Sequence, residues 1–205
     1  MFAKTHKLIA NNIINTLPIQ YNEYINKKYF IYGNIKPDGF SKYKFIKHYK
    51  DESYNLMLSK IIFLKDLSLN DIDKYGIKKF NEELGVLCHF FSDYFCLAHD
   101  ERWLFKTNMI EHIKYESNLC TLKFDFNIEN KESCIKNVEK FLSSELNKYH
   151  KLKSVENLNP KNDIIFAQYV CNSIVLFILD SILNKKENTK KFPQNLFVGT
   201  SLLYK

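Results

Sequence analysis

The sequence predicts an all-α fold, a compact bundle of several helices. The 205 residues include only five glycines and four prolines, so the residues that usually mark the turns of a sheet-rich protein are sparse. Apolar residues instead recur three and four positions apart, which is the period of a helix with one buried face. These two observations favour helices over strands along the chain.

The first predicted helix covers residues 5–16. Ile9 and Ile13 recur at helical spacing, and Pro18 ends the pattern because proline cannot continue a helix. His6 falls in the opening turn of this helix.

The next element, over residues 29–35, is short and either helical or extended. It leads into Lys36-Pro37-Asp38-Gly39, where proline and glycine predict a turn that leaves Asp38 on a loop. Further helices are predicted over residues 52–65, 69–95, 107–122, 132–149 and 163–183.

One domain is expected over residues 1–205, with helices from 130 to 205 after the motifs discussed below, because single cores extend to a few hundred residues. The composition, 45% hydrophobic and 26% charged, is typical of globular proteins. Lysine supplies nearly all of the positive charge, since Arg102 is the only arginine. The lysines indicate either a solvated surface or a weak attraction to an anionic substrate or membrane surface.

The cysteines favour buried thiols over disulfides or a zinc ribbon, because their number is odd and no two form a Cys-x-x-Cys pair. They are Cys88, Cys96, Cys120, Cys134 and Cys171. No secretory signal is visible at the start of the sequence, so we expect a cytoplasmic protein. The apolar run over residues 164–179 is shorter than a membrane span and predicts a core helix, with no transmembrane segment.

Two pairs of side chains carry the strongest chemical signal. His89 and Asp93 are four residues apart in a helical stretch, and so are His112 and Glu116. Each pair therefore projects from one helix face and can reach one metal ion. Imidazole and carboxylate ligands favour zinc, whose catalytic sites commonly use three protein ligands. With His99 between them in sequence, the two pairs predict two adjacent metal sites.

The competing interpretation of each pair is an ordinary hydrogen bond on the surface. The surrounding segment, however, is rich in Phe, Leu, Ile and Cys. A histidine or carboxylate that faces an apolar interior must be paired or metal-bound, because burying even a neutral polar group unpaired costs roughly 2–7 kcal/mol. A metal cluster in a cleft of the bundle is the economical explanation.

These motifs resemble the zinc-dependent phospholipase C family, which includes the bacterial phosphatidylcholine-preferring enzymes and the catalytic domain of clostridial alpha-toxin. The run HxxxDxxxxxH over residues 89–99, followed by HxxxE over residues 112–116, is highly specific. The resemblance covers residues 6–116 in the family's order, and beyond them it extends only as a run of helices. The other matching pieces are Thr5-His6, Pro37-Asp38 and His48.

The resemblance implies a first zinc ion bound by His48, His89 and Asp93. Asp38 would lie close to this ion, either as a further ligand or as the proton acceptor for the attacking water.

The resemblance also implies a second zinc ion, bound by His99, His112 and Glu116. His6 would bind a third ion, with Asp93 as a bridge between two of the metals. In the secreted relatives this third site is completed by the amino group and carbonyl of a processed N-terminal tryptophan, which is missing here.

The implied activity is phospholipase C-type hydrolysis, in which metal-activated water cleaves the headgroup from a phospholipid. Phe45 matches one wall of the pocket that binds choline in phosphatidylcholine-preferring members, whereas Gly39 stands where those enzymes have a tyrosine. The expected substrate is a phospholipid or another phosphodiester, with transient contact to a membrane surface and no nucleic-acid partner. The sequence does not determine the oligomeric state.

Two alternatives remain open from the sequence. The first is a phosphodiesterase similar to the single-strand-specific zinc nucleases, which share the fold and the HxxxDxxxxxH run but usually end the cluster in HxxxD. The second is a metal-binding or membrane-associated homologue that has kept the ligands and catalyses weakly. Glu116 and the short interval between His99 and His112 favour the phospholipase interpretation.

Overall fold

The computed structural model describes residues 1–39, 42–103, 109–122, 135–155 and 159–190, and every regular element among them is helical, which confirms the all-α prediction. The α-helices are α1 (Ala3–Thr16), α2 (Lys27–Ile35), α3 (Lys50–Asp66), α4 (Leu69–Tyr75), α5 (Ile77–Tyr94), α6 (Leu97–Asp100), α7 (Met109–Thr121), α8 (Val138–Val155) and α9 (Pro160–Lys190). Short 3₁₀ turns cover Ile19–Tyr24, Lys36–Asp38 and Lys42–Phe45.

Helix α1 forms where the sequence predicts it and stops before Pro18. Its buried face includes Ile9, Ala10 and Ile13, which pack into the core. His6 lies one turn earlier and is also fully buried. An imidazole is therefore carried into the interior by a largely apolar helix face.

The single helix predicted over residues 69–95 is wrong in one respect, because it is divided at Gly76. This glycine has a φ of 90°, a backbone conformation that costs other residues more than it costs glycine. Ser68 caps α4 by accepting a hydrogen bond from the Asp71 amide. The sequence pattern shows one continuous apolar period, but the backbone turns at Gly76.

Helix α5 is the centre of the bundle, and its residues from Phe80 to Tyr94 are almost all buried. It packs closely against α2 at Gly85, where an added Cβ would lie 2.3 Å from the carbonyl oxygen of Phe30. Only glycine permits this approach of the two backbones. As a result, the end of α2 and the turn that carries Asp38 lie beside the second half of α5.

Helix α9 contains the apolar run that the sequence predicts as a core helix. Its segment Pro160–Lys185 is long and apolar enough to cross a bilayer, but 61% of its most apolar window is buried inside the protein. Its polar side chains Gln168 and Asn172 are buried as well. These features are those of a core helix.

The cysteines that the structure describes are free thiols, as predicted. Cys88, Cys96 and Cys171 are buried, and Cys120 is half-buried. Cys134 lies outside the described residues.

Candidate metal centre

The predicted ligand residues converge on Asp93, near the end of α5. Asp93 is fully buried. Its Oδ2 lies 2.9 Å from His48 Nδ1 and 3.3 Å from His89 Nε2. Its Oδ1 lies 3.3 Å from His6 Nε2 and 3.7 Å from His99 Nε2. The two carboxylate oxygens therefore face different sets of histidines, as a carboxylate that bridges two metal ions would.

The first group of candidate ligands is Asp38, His48 and His89, whose ligand atoms all lie within 4.8 Å of one another. Asp38 Oδ1 is 3.7 Å from His48 Nδ1 and 3.5 Å from His89 Nε2. His89 Nδ1 lies 2.8 Å from the backbone carbonyl oxygen of Asn34. This contact fits a proton on Nδ1, which leaves Nε2 as a lone-pair donor aimed into the cluster.

The second group joins α6 to α7. His99 Nε2 and His112 Nε2 lie 3.2 and 2.9 Å from the same Oε1 atom of Glu116. His112 Nδ1 lies 2.8 Å from the Trp103 carbonyl oxygen, which orients the other ring nitrogen toward Glu116. These predicted ligands are therefore together, and the sulfur of Cys96 lies within 4.8 Å of the ligand atoms of His99 and Glu116.

The third group is His6, His89 and Asp93. The rings of His6 and His89 stack with centroids 3.9 Å apart. Neither ring nitrogen of the fully buried His6 has a hydrogen-bond partner among the described residues, although Nε2 lies at ion-pair distance from Asp93. A polar group buried without a partner is costly, so this histidine fits a metal better than it fits an apolar core.

A nitrogen of the first residue also lies inside the cluster. The Met1 nitrogen is 2.5 Å from Asp93 Oδ1, 2.9 Å from His99 Nε2 and 3.3 Å from Glu116 Oε1. A backbone nitrogen thus lies between the second and third groups of candidate ligands.

Electrostatics hold the key ligands in the protonation states that bind metal. Burial raises the pKa of Asp93, but the charges of His99 and other nearby groups lower it more, to well below its usual value. Burial lowers the pKa of His89 far below its usual value, and His6 lowers it further. Asp93 is therefore ionised and His89 neutral near pH 7, as ligands must be.

A cavity of about 90 Å³ leads to the cluster from the surface. Its walls include the buried Asp93 together with His48 and His99, and also Tyr49, Arg102 and His150. The Arg102 guanidinium lies 4.9 Å from the centre of the Tyr49 ring and pairs with Asp51 at 3.0 Å. The candidate metal centre is thus reached from solvent on one side.

The profile of the family described as zinc dependent phospholipase C matches residues 5–169, which is most of the chain and spans every predicted ligand. The chain belongs to the zinc-dependent phospholipase C family. No curated protein and no solved structure matches it. The metal of this family is zinc. The histidines and carboxylates that converge around Asp93 are of the types that bind zinc in proteins.

One residue that holds this phospholipase C-family site together was missed by the sequence analysis. The Asp163 carboxylate of α9 accepts hydrogen bonds from the Leu97 amide at 2.9 Å, the Tyr115 hydroxyl at 2.7 Å and the Tyr149 hydroxyl at 2.9 Å. Leu97 begins the helix that carries His99, and Tyr115 precedes Glu116. Asp163 therefore ties the two halves of the second ligand group to the bundle. The only feature of Asp163 that is visible in the amino-acid sequence is its position near the start of an apolar helix, which does not indicate this role.

Phe45, predicted as one wall of a choline pocket, lies at the surface. Its side chain is 89% exposed, and it is not among the residues that line the cavity at Asp93. The substrate-binding role of Phe45 stays a prediction. Trp103 packs against Tyr115, with ring centroids 5.5 Å apart.

Proposed function

We propose that this chain is a phosphodiester hydrolase that uses zinc, and that it cleaves the headgroup from a phospholipid as a phospholipase C does. The observation that carries the proposal is the convergence of the family's histidines and carboxylates on Asp93, at the end of a cavity open to solvent. We further propose at least two zinc ions, one for each complete ligand group, and a third at His6.

Each side chain has a distinct role in this proposal. His48, His89 and Asp93 would hold one ion, and His99, His112 and Glu116 the other. Bound zinc lowers the pKa of water and stabilises charge on phosphate oxygens. The histidine ring nitrogens that face away from the cluster are fixed by backbone carbonyl groups at His89 and His112, so the ligand nitrogens are oriented before metal arrives.

Asp38 is the candidate proton acceptor. Its side chain is 37% exposed, whereas that of Asp93 is fully buried. A carboxylate that touches both the cluster and solvent can accept a proton from an attacking water and release it to bulk solvent. Asp93, held among histidines away from solvent, is suited to binding metal instead.

The loop of residues 42–47, beside the metal centre, is rich in lysine, and this composition is an argument for transient contact with an anionic membrane surface. Phe45 is 89% exposed, while the neighbouring Tyr43 is buried and donates a hydrogen bond of 2.6 Å to Glu83. This anchor keeps Phe45 on the outside of the loop that leads to His48. The exposed lysines around it are Lys42, Lys44 and Lys47. Each lysine near an anionic lipid surface contributes roughly 1 kcal/mol to binding.

The loop proposal is tested by vesicle sedimentation with the Phe45→Ser variant. Vesicles that contain phosphatidylserine should retain less of this variant than of the wild type, and Ile19→Ser, which removes another strongly exposed apolar side chain, is the control. Unchanged vesicle binding together with slower hydrolysis of a soluble choline phosphodiester would contradict the loop proposal and favour the choline-wall role of Phe45.

The activity is tested on a panel of substrates with the zinc-loaded protein. The panel contains phospholipid vesicles of defined headgroup, single-stranded DNA and RNA, and an aryl phosphodiester. We expect headgroup release from lipid, and we expect Glu116→Gln to lower it. Glu111→Gln, the same change at an exposed position of α7, should have no effect. Cleavage of nucleic acid but not lipid would favour the nuclease alternative, and no turnover on any substrate would favour the weakly catalytic homologue.

A further inference from the structure

The thiol of Cys96 lies beside the second ligand group, and the family resemblance gives it no role. Its sulfur, a His99 ring nitrogen and a Glu116 carboxylate oxygen all lie within 4.8 Å of one another. Cys96 is fully buried, with an exposure of 0%. Three different ligand types therefore meet at one point in the interior.

The local backbone explains why Cys96 and His99 share this position. Cys96 precedes the first residue of α6 with extended backbone angles. Its carbonyl oxygen accepts a hydrogen bond of 2.9 Å from the His99 amide. The two residues are thus fixed to one another by a single turn, and that turn is held in place by the contact of Leu97 with Asp163.

Two of the other described thiols, those of Cys171 and Cys120, have ordinary hydrogen-bond partners. Cys171 Sγ donates to the Cys88 carbonyl oxygen at 3.3 Å, and Cys120 Sγ lies 3.1 Å from Thr5 Oγ1. Within the described part of the chain, the Cys96 thiol makes no such bond. Its neighbours are instead a candidate metal-binding histidine and a carboxylate.

We propose that Cys96 is a protein ligand of the second zinc ion, acting as a thiolate together with His99, His112 and Glu116. Zinc binds cysteine sulfur readily, and metal binding releases the thiol proton to solvent. The thiolate would cancel one more positive charge of the ion. The inference rests on the proposed zinc centre.

A fourth protein ligand would give the second zinc ion a structural role, different from that of the first. Four protein ligands complete the tetrahedral coordination that is typical of structural zinc, whereas catalytic zinc keeps a position open for water. The second ion would then mainly hold α6 and α7 together. The site near Asp38 would bind the attacking water.

The test replaces zinc with cobalt, because a thiolate ligand gives Co²⁺ an intense charge-transfer absorption in the near ultraviolet that nitrogen and oxygen ligands do not give. Wild-type protein loaded with two equivalents of Co²⁺ should show this band. Cys96→Ser should lose the charge-transfer band while keeping the visible d–d bands. Its second cobalt ion should also bind more weakly, by a factor of roughly ten or more, because losing a metal ligand costs at least as much affinity as losing an outer-shell partner. Cys88→Ser, which alters another buried thiol, should keep the band.

The outcomes separate the failure of this inference from that of the proposed function. Two bound cobalt ions without a charge-transfer band in the wild type, or a band that persists in Cys96→Ser, would overturn the role of Cys96 and leave the zinc centre standing. A wild type that binds no cobalt or zinc would overturn both. If Cys96→Ser does not fold, the ¹¹³Cd NMR shift of wild-type protein decides, since sulfur ligation moves the resonance far downfield and its absence there contradicts the proposal.

Discussion

The two ends of α5 each bury a carboxylate, but they neutralise it differently. At Glu83, near the start, the carboxylate is paired with Lys60, with Lys79 at 2.7 Å and with the Tyr43 hydroxyl at 2.6 Å. At Asp93, near the end, the carboxylate is surrounded by histidine side chains and by the Met1 nitrogen, which lies 2.5 Å from Oδ1. The same helix therefore carries one cluster built from lysines and one built from imidazoles.

The two clusters differ in whether the protein itself supplies partners for the buried polar groups. Around Glu83, hydrogen-bond donors face the carboxylate, so burial is offset by lysines and a hydroxyl. Around Asp93, imidazole nitrogens crowd together: His89 Nε2 lies 3.1 Å from His48 Nδ1, and both His6 nitrogens lack hydrogen-bond partners among the described residues. The Glu83 cluster is complete as a piece of protein, whereas the Asp93 cluster is suited to cations supplied from outside.

The largest expected effect is that of Asp93→Asn on hydrolysis. The amide cannot serve two ions with two anionic oxygens, so both neighbouring sites should weaken and headgroup release should be abolished. Asp38→Asn should slow turnover while most of the metal stays bound. Rates of the two variants on the same vesicles, with zinc determined in the same samples, make the comparison. If Asp93→Asn retained as much activity as Asp38→Asn, the bridging role would be wrong.

Glu83→Gln should destabilise the protein by about 3 kcal/mol, the lower end of the cost of removing one partner from a buried ion pair. The change leaves Lys60 without its carboxylate partner, whereas Lys79 keeps Glu82 at 3.1 Å. It touches no candidate metal ligand. Urea unfolding of the zinc-loaded protein measures the effect. A variant as stable as the wild type would show that the network at this end of α5 contributes nothing.

Asp163→Asn should weaken zinc binding at the second site by roughly 10–100-fold, as the loss of an outer-shell contact does. An amide has one acceptor oxygen where the carboxylate has two, so it cannot accept all the hydrogen bonds that Leu97, Tyr115 and Tyr149 donate to Asp163. The first site should bind as before, which a general loss of structure would not produce. Competition with a chromophoric chelator gives both affinities, and Asp73→Asn, at an exposed position of α4, serves as control.

A smaller effect concerns acid stability. Burial raises the pKa of Glu83, but its hydrogen bonds to Lys60, Lys79 and Tyr43 outweigh burial and lower it from 4.5 to about 2. A depressed pKa contributes stability that is fully present above pH 4.5 and is lost as the pH falls toward 2. The stability difference between wild type and Glu83→Gln should therefore shrink across this range. A difference that stays constant from pH 5 to 3, measured by urea unfolding, would contradict the assignment.

The sequence could predict those parts of the site that depend on one helix. His89 and Asp93, like His112 and Glu116, meet because residues four apart share a helix face, and that spacing is visible in the letters. The roles of Asp163 and Cys96 depend on how α6, α7 and α9 pack against each other, which no local pattern encodes.

The fold likewise follows from local sequence patterns only in part. The helical structure of these segments follows from the period of their apolar residues, and α1 ends before Pro18 as expected. The break at Gly76 was not predicted, because an isolated glycine is tolerated within helices and its positive φ depends on the packing of α4 and α5. The 89% exposure of Phe45 was not predicted either, because it depends on how the turn at residues 42–45 packs.

The most direct test of the proposed zinc centre is the zinc content of the folded chain in wild type, Asp93→Asn and Glu83→Gln, measured by elemental analysis after zinc-replete expression and gel filtration. Our expectation is at least two equivalents in the wild type, a loss of more than one in Asp93→Asn, and no loss per folded chain in Glu83→Gln. Less than one equivalent in the wild type, or equal losses in the two variants, would contradict it.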